Sequence, residues 1–164
     1  MRHPEGAMQS RQSRCIHDVL EAEADRNPEA IALFASGRQP LTYGRLYTRV
    51  RDVVGALNTM GLGRNDRVAV VLPTGPEMAV ASVAVMAGAT LAPLNSAFRD
   101  SEFDSRLADV SARALIVESG SASPAIAVAR RRGIPVVELS PRPDGAAGLF
   151  DLKGESGASC REPG

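Results

Sequence analysis

The chain is poor in the residues that metal and redox chemistry require. Its 164 residues include two cysteines, two histidines and no tryptophan. Cys15 and Cys160 stand far apart, and His3 and His17 lie near the N-terminus, His3 in a polar stretch that resembles a disordered tail. Zinc sites need closely spaced ligand pairs, so we predict no metal site. Reduced thiols in a cytoplasmic protein are the simplest interpretation.

An excess of charge of either sign is also absent. The 19 basic and 19 acidic residues give a formal net charge of zero. Nucleic-acid-binding domains normally carry a basic excess, so the composition argues against that class. Lys153 is the only lysine, which leaves one candidate for chemistry that needs a lysine amine.

No hydrophobic run is long enough to suggest a membrane protein. The longest, residues 78–94, is interrupted by Ser82, Gly88, Thr90 and Pro93. We interpret it as a buried helix followed by a buried strand, and we expect no membrane association. Residues 1–14 are polar and do not have the pattern of a secretory signal.

The chain does contain a regular alternation of predicted strands and helices. Helices are expected at about 16–26, 46–60, 76–87, 101–110 and 124–133, and strands at 30–35, 67–72, 90–92, 112–118 and 134–139. Apolar strands separated by helices predict an α/β domain with a doubly wound, mainly parallel sheet and helices on both faces. We assign this domain to residues 15–152, between a flexible tail at 1–14 and a disordered tail at 153–164.

Several local signals are predicted to set the ends and the packing of these helices. Thr74 and Glu77 have the spacing of a capping box. Gly61 is expected to end the second helix, and Ser123 to begin the last one. Gly88 is expected to allow close packing or an unusual backbone angle.

The loops at the carboxyl ends of the strands are the candidate ligand sites, because ligands of such sheets bind there. Thr74 and Gly75 precede a helix and form either an anion site made of backbone N–H groups or an ordinary helix start, and we favour the helix start. The polar loop 119–123 has the same two interpretations with the same preference. The arginine run 130–132 suits a helix C-terminus, and an anion contact is the alternative. Gly61 and Gly63 follow a helix rather than a strand, so they do not form a dinucleotide-binding turn.

Five segments together resemble a known family. They are Asn27-Pro28-Glu29 before AIAL, LTYGRL at 41–46, NDRVAVVLPTGPEM at 65–78, AGATLAPLN at 87–95 and SEFDSRLADVSARALIVES at 101–119. In this order and spacing they resemble the N-terminal region of the AMP-forming acyl-CoA synthetases, whose superfamily includes luciferases and the adenylation domains of peptide synthetases. The resemblance covers residues 15–152 and is greatest to synthetases that activate small acids such as oxalate.

The resemblance implies an ATP-dependent acid–CoA ligase. Such an enzyme forms an acyl-adenylate from a carboxylic acid substrate and then an acyl-CoA thioester, using ATP, Mg²⁺ and coenzyme A. The family's Ser/Thr/Gly-rich loop with a lysine, its acidic residues for magnesium and ribose, and its C-terminal domain have no counterpart here. We therefore assign no catalytic, cofactor-binding or metal-binding residue, and no role to Lys153. Asn95 and its neighbours are expected only to line the substrate side of the cleft.

Three functions remain open from the sequence. The favoured one is a fragment of such a ligase, from a truncated, frameshifted or split gene, that is inactive alone and has the remainder of the enzyme as its partner. The second is a non-catalytic small-molecule-binding or interaction module derived from the same fold. The third is a flavodoxin-like nucleotide binder unrelated to ligases.

Overall fold

The computed structural model describes residues 15–154. The predicted tail at 1–14, with His3, and residues 155–164 of the tail predicted at 153–164, with Cys160, lie outside these residues. The helices are α1 (Ile16–Arg26), α2 (Tyr43–Thr59), α3 (Pro76–Gly88), α4 (Asp100–Asp109) and α5 (Pro124–Arg131). The strands are β1 (Ile31–Leu33), β2 (Leu41–Thr42), β3 (Arg67–Val71), β4 (Thr90–Pro93), β5 (Ala114–Glu118), β6 (Val136–Pro141) and β7 (Phe150–Gly154). Within the described part of the chain, no helix is both long and apolar enough to cross a membrane.

The central sheet has five strands in the order β4-β3-β5-β6-β7. Strands β3, β4, β5 and β6 are parallel, and β7 pairs antiparallel with β6. Strands β1 and β2 form a separate antiparallel pair. The chain leaves β3 toward β4 on one side and then returns to place β5 on the other side, so the strand order reverses around β3. The predicted doubly wound, mainly parallel sheet is confirmed.

Two hydrophobic cores cover the two faces of this sheet. Alternate strand residues point to opposite faces, so Val68 and Val70 of β3 pack with α2 and α3. Ala69 and Val71 of the same strand face Phe103 of α4 and the apolar side of α5. Each face is therefore sealed by helices, which explains why the parallel strands are apolar along their whole length.

Two of the predicted helix ends are confirmed and one is wrong. Gly61 follows α2 with φ +74°, and the Ser123 Oγ accepts a hydrogen bond from the Ala125 N–H at 3.3 Å at the start of α5. Thr74 does not cap α3. That helix begins one residue later than the capping box requires, after an extended Gly75, and no side chain caps it. Glu77 instead accepts a hydrogen bond from a distant arginine, described below.

The C-terminal boundary of the domain also differs from the expectation. Lys153 and Gly154 were assigned to the tail but belong to β7, where Lys153 lies opposite Glu138 of β6. The apolar pattern weakens here because β7 is an edge strand with exposed residues, yet its backbone still pairs with β6. The ordered sheet thus extends two residues beyond the predicted limit.

Arg38, in the turn between β1 and β2, joins three parts of the chain. Its guanidinium donates hydrogen bonds to the backbone carbonyls of Arg142 at 2.7 Å, Ala146 at 3.2 Å and Gly145 at 3.3 Å. It also pairs with the Glu77 carboxylate at 3.2 Å, and the two side chains are 19% and 17% exposed. Arg38 therefore attaches the β6–β7 connection and the start of α3 to the β1–β2 pair.

The β6–β7 connection also packs closely against α3. The Ala147 N–H donates to the Gln39 carbonyl at 2.8 Å, and Gly148 has φ +79°. A Cβ atom at Gly148 would lie 2.5 Å from Cγ2 of Val80 on α3. Only glycine avoids both the backbone strain and this overlap.

Replacing Arg38 tests how much this network stabilises the fold. We expect Arg38→Met to lower the free energy of unfolding by about 2–3 kcal/mol, because three carbonyls and a half-buried carboxylate lose their donor. The measurement is urea denaturation. Arg26→Met is the control, since Arg26 is 72% exposed and, among residues 15–154, pairs only with Glu23. It should change stability by less than about 0.5 kcal/mol. Equal losses in the two variants would contradict the role of Arg38.

A second prediction concerns the contact between α2 and α3. A Cβ atom at Gly88 would lie 2.9 Å from Cγ2 of Val54, which confirms the predicted close packing. Gly88→Ala should destabilise the protein by about 1–2 kcal/mol, because β-branched Val54 cannot rotate away. Gly55→Ala, at an exposed site of α2 with nothing within 4 Å, should stabilise it by up to about 1 kcal/mol. Urea denaturation would refute the packing constraint if both variants gained stability.

Candidate functional site

The carboxyl edge of the sheet is the first place to look for a site. Strand order reverses around β3, so the loops 72–75 and 119–123 leave β3 and β5 toward opposite faces of the sheet. Such a divergence forms the ligand crevice in many doubly wound folds.

The start of α3 is occupied by the chain's own carboxylate. Thr74 is exposed and Gly75 is extended. A carboxylate oxygen of Glu77 lies only 3.8 Å from where a Cβ of Gly75 would stand. A negative charge at this position interacts favourably with the helix N-terminus and repels a second anion. The geometry thus favours an ordinary helix start over an anion site.

The hydroxyl groups of loop 119–123 bond within the protein. The Ser119 hydroxyl donates to the Glu138 carboxylate at 3.1 Å, and the Ser121 Oγ accepts from the Ser123 N–H at 3.2 Å. Ser123 itself caps α5 through the Ala125 N–H. The loop is therefore a turn whose polar groups stabilise the chain, as the favoured interpretation expected.

Asn95 lies at the carboxyl edge, directly after β4. Its side chain is exposed, and its Oδ1 accepts a hydrogen bond from the Ala97 N–H at 2.9 Å. This bond closes a short turn of a kind that asparagine often forms. A groove lined by the preceding Pro93 and Leu94 lies beside it. The expected place of Asn95 beside the substrate stays a prediction.

The arginine run at the end of α5 joins that helix to α4. Arg132 donates through Nε and Nη2 to the two carboxylate oxygens of Asp104, at 2.7 Å each. These bonds hold the pKa of Asp104 below its usual 3.8 and raise the pKa of Arg132. Arg131 lies 3.8 Å from Asp100. The pairs give Arg131 and Arg132 a structural role beyond the helix dipole.

Histidine and cysteine side chains do not form a reactive group in the described residues. The Tyr47 hydroxyl donates to the Glu21 carboxylate at 2.6 Å, which raises the pKa of Tyr47, and it lies 3.4 Å from Nε2 of His17. Cys15 starts α1, and its N–H donates to the Asp18 carboxylate, which lowers the pKa of Asp18. Between residues 15 and 154, no three histidine, cysteine or acidic side chains are placed to hold a metal.

Two of the cavities among the described residues lie beside other strands than β5. A groove of about 610 Å³ follows the free edge of β4 and reaches the end of α4. A smaller cavity of about 210 Å³ lies between α2 and the start of β7, where Arg45, Arg49 and Arg142 line it. Sequence analysis missed this arginine cluster, because Arg142 is distant in sequence. The only signal was the spacing of Arg45 and Arg49, one helical turn apart.

Comparison with known proteins assigns the family. A sequence model of the AMP-binding enzyme family matches residues 20–156. Malpinin synthetase of Mortierella alpina is 32% identical over 113 residues, which are 68% of this chain and 1% of that protein. Oxalate–CoA ligase of Arabidopsis thaliana is 32% identical over 115 residues, which are 69% of this chain and 22% of that protein.

A solved structure supports the same assignment. The chain resembles NpsA-ThdA, an artificially fused adenylation–PCP di-domain from Klebsiella oxytoca, with a TM-score of 0.61 and 26% identity. The match covers 68% of this chain and 21% of that one. The chain thus spans less than a quarter of the length of each of these three proteins. It belongs to the AMP-binding enzyme family, the adenylate-forming synthetases and ligases.

Proposed function

We propose that this chain is the N-terminal part of an ATP-dependent acid–CoA ligase. In the proposed reaction, a carboxylate oxygen of the acid attacks the α-phosphorus of ATP, and pyrophosphate leaves. The thiol of coenzyme A then attacks the acyl carbon of the adenylate, AMP leaves, and a thioester forms. A cytoplasmic location is part of the same proposal.

One observation supports this proposal more than any other. The match to the family extends over residues 20–156, which include all five strands of the central sheet. Among the relatives, the Arabidopsis protein is an oxalate–CoA ligase, so we propose a small carboxylic acid as the substrate. A nonribosomal peptide synthetase of Aspergillus fumigatus matches with similar identity, 29% over 109 residues, so the thioester step is the less supported half of the reaction.

We further propose that the 164-residue chain does not catalyse adenylation alone. The transition state gathers negative charge on phosphate oxygens, which need fixed positive groups and N–H donors around them. At the carboxyl edge of the described sheet, Arg38 is bound to Glu77 and to backbone carbonyls. The start of α3 carries the Glu77 carboxylate rather than a free anion site. Lys153 is exposed on the edge strand β7, where it lies opposite Glu138.

Pyrophosphate exchange tests this part of the proposal. The purified chain, incubated with ATP, Mg²⁺, labelled pyrophosphate and oxalate or acetate, should show no exchange above a reaction without acid. The Arabidopsis oxalate–CoA ligase, assayed in parallel, is the positive control. Acid-dependent exchange by the chain alone would contradict the proposed inactivity.

The ligase assignment itself needs the coding sequence beyond residue 164. We expect the DNA that follows to encode, in some frame, a Ser/Thr/Gly-rich loop with a lysine. Joined in frame to this chain, that sequence should restore acid-dependent exchange and then coenzyme A thioester formation. Pyrophosphate exchange without thioester formation would show that the joined protein adenylates an acid, and it would refute the proposed CoA ligase activity. An unrelated coding sequence would refute the split or frameshifted gene.

A second candidate is a non-catalytic binding module on the same fold. The observation that favours it is the arginine-lined cavity between α2 and β7. A module of this kind would bind a ligand without any exchange activity.

A further inference from the structure

The cavity between α2 and β7 concentrates positive charge. Arg45, Arg49 and Arg142 line it, and Asp52 is the only acidic residue among the lining side chains. Its volume of about 210 Å³ is below the roughly 300–1,000 Å³ of sites for drug-sized ligands. The space therefore suits a group of a few atoms.

Arg49 is the most buried of the three arginines. Its guanidinium stacks on the Phe150 ring, 4.5 Å from the centroid, and donates to the Phe150 carbonyl. Asp52 approaches only to 3.9 Å, and the buried Nε of Arg49 has no hydrogen-bond partner among the described residues. Burial lowers the pKa of Arg49, the Asp52 and Asp151 carboxylates act in the opposite direction, and the charge of Arg142 adds to the lowering. A buried N–H without an acceptor is unfavourable, so the described residues leave the hydrogen-bonding capacity of Arg49 incompletely satisfied.

The other two arginines stand at the rim of the cavity. Arg142 is held in place by the Asp151 carboxylate, which accepts from its Nε at 2.7 Å. Arg45 is exposed and makes no ion pair or hydrogen bond with the described residues. One arginine is thus buried, one is fixed by an acid, and one is free to close over a ligand.

We propose that this cavity binds a small oxyanion, a phosphate or carboxylate group, held by Arg45, Arg49 and Arg142. Guanidinium groups match the oxygens of such anions with paired N–H donors. A bound anion would offset the mutual repulsion of the arginines and link α2 to the β6–β7 connection and to β7. The proposed anion site does not depend on the proposed ligase function. A negative result for one of these proposals would leave the other standing.

Isothermal titration with inorganic phosphate tests the site, with acetate as a second arm and ionic strength held constant with chloride. We expect saturable phosphate binding by the intact chain. Arg45→Gln should weaken it about tenfold through the loss of a charge-assisted contact. Arg51→Gln is the matched control, because Arg51 lies on the same helix but over the Tyr47 ring, 5.9 Å from its centroid. That variant should bind within about twofold of the unchanged protein.

The two arms distinguish the ligand chemistry. If only phosphate binds saturably, the natural ligand carries a phosphate group. If only acetate binds, the ligand carries a carboxylate. If both bind, the site accepts oxyanions in general. No saturable binding in either arm, or equal weakening in the Arg45 and Arg51 variants, would overturn the proposal.

Hydrogen exchange gives an independent measurement that does not require replacing the packed Arg49. Phosphate should slow amide exchange in Phe150–Gly154 of the intact chain and have little effect on that strand in the Arg45→Gln variant. Urea denaturation of that variant should show unchanged stability, since Arg45 is exposed and has no ion pair within residues 15–154. The proposal would be refuted if phosphate did not slow amide exchange in β7, or if it slowed that exchange equally in the Arg45→Gln variant.

Discussion

The burial of β3 on both faces is the constraint on which the rest of the structure depends. Its side chains alternate between two cores, with Val68 and Val70 on one side and Ala69 and Val71 on the other. A parallel strand in this position must be covered by helices on both faces, because both of its faces are apolar and must be buried from water. The reversal of strand order around β3 achieves this, since α3 crosses one face and α4 and α5 cross the other.

The same arrangement creates the carboxyl edge of the sheet. Most polar groups described at this edge bond to other groups of the protein. Arg38 fastens the β6–β7 connection and the first turn of α3, and the serines after β5 bond to their own loop and to Glu138. Polar groups at this edge thus stabilise the fold rather than forming a reactive cluster. The family assignment therefore rests on the match along the chain, whereas the chemistry proposed for the whole enzyme depends on sequence beyond the described residues.

The success of the sequence-based predictions depended on how local each signal was. Gly61 and Ser123 act through backbone bonds within a few residues, so their roles could be read from the sequence. Thr74 was assigned wrongly because Glu77 has a competing partner, Arg38, 39 residues away. Lys153 was placed outside the domain because the strand pairing of β7 is a long-range backbone contact that leaves no apolar pattern on an exposed edge.

By itself, the sequence determined the fold class, the apolar strands, the helix ends with local signals and the resemblance to adenylate-forming enzymes. The fold class, strands and helix ends follow from periodicity and short-range hydrogen bonding between neighbouring residues, and the resemblance follows from the order and spacing of five segments. Only the tertiary structure decided that β7 turns back against β6, that Arg38 joins three segments, and that Arg142 meets Arg45 and Arg49 around one cavity. The strand pairing joins residues 9 to 17 positions apart, whereas Arg38 and Arg142 are 104 positions apart, and only packing brings such residues together.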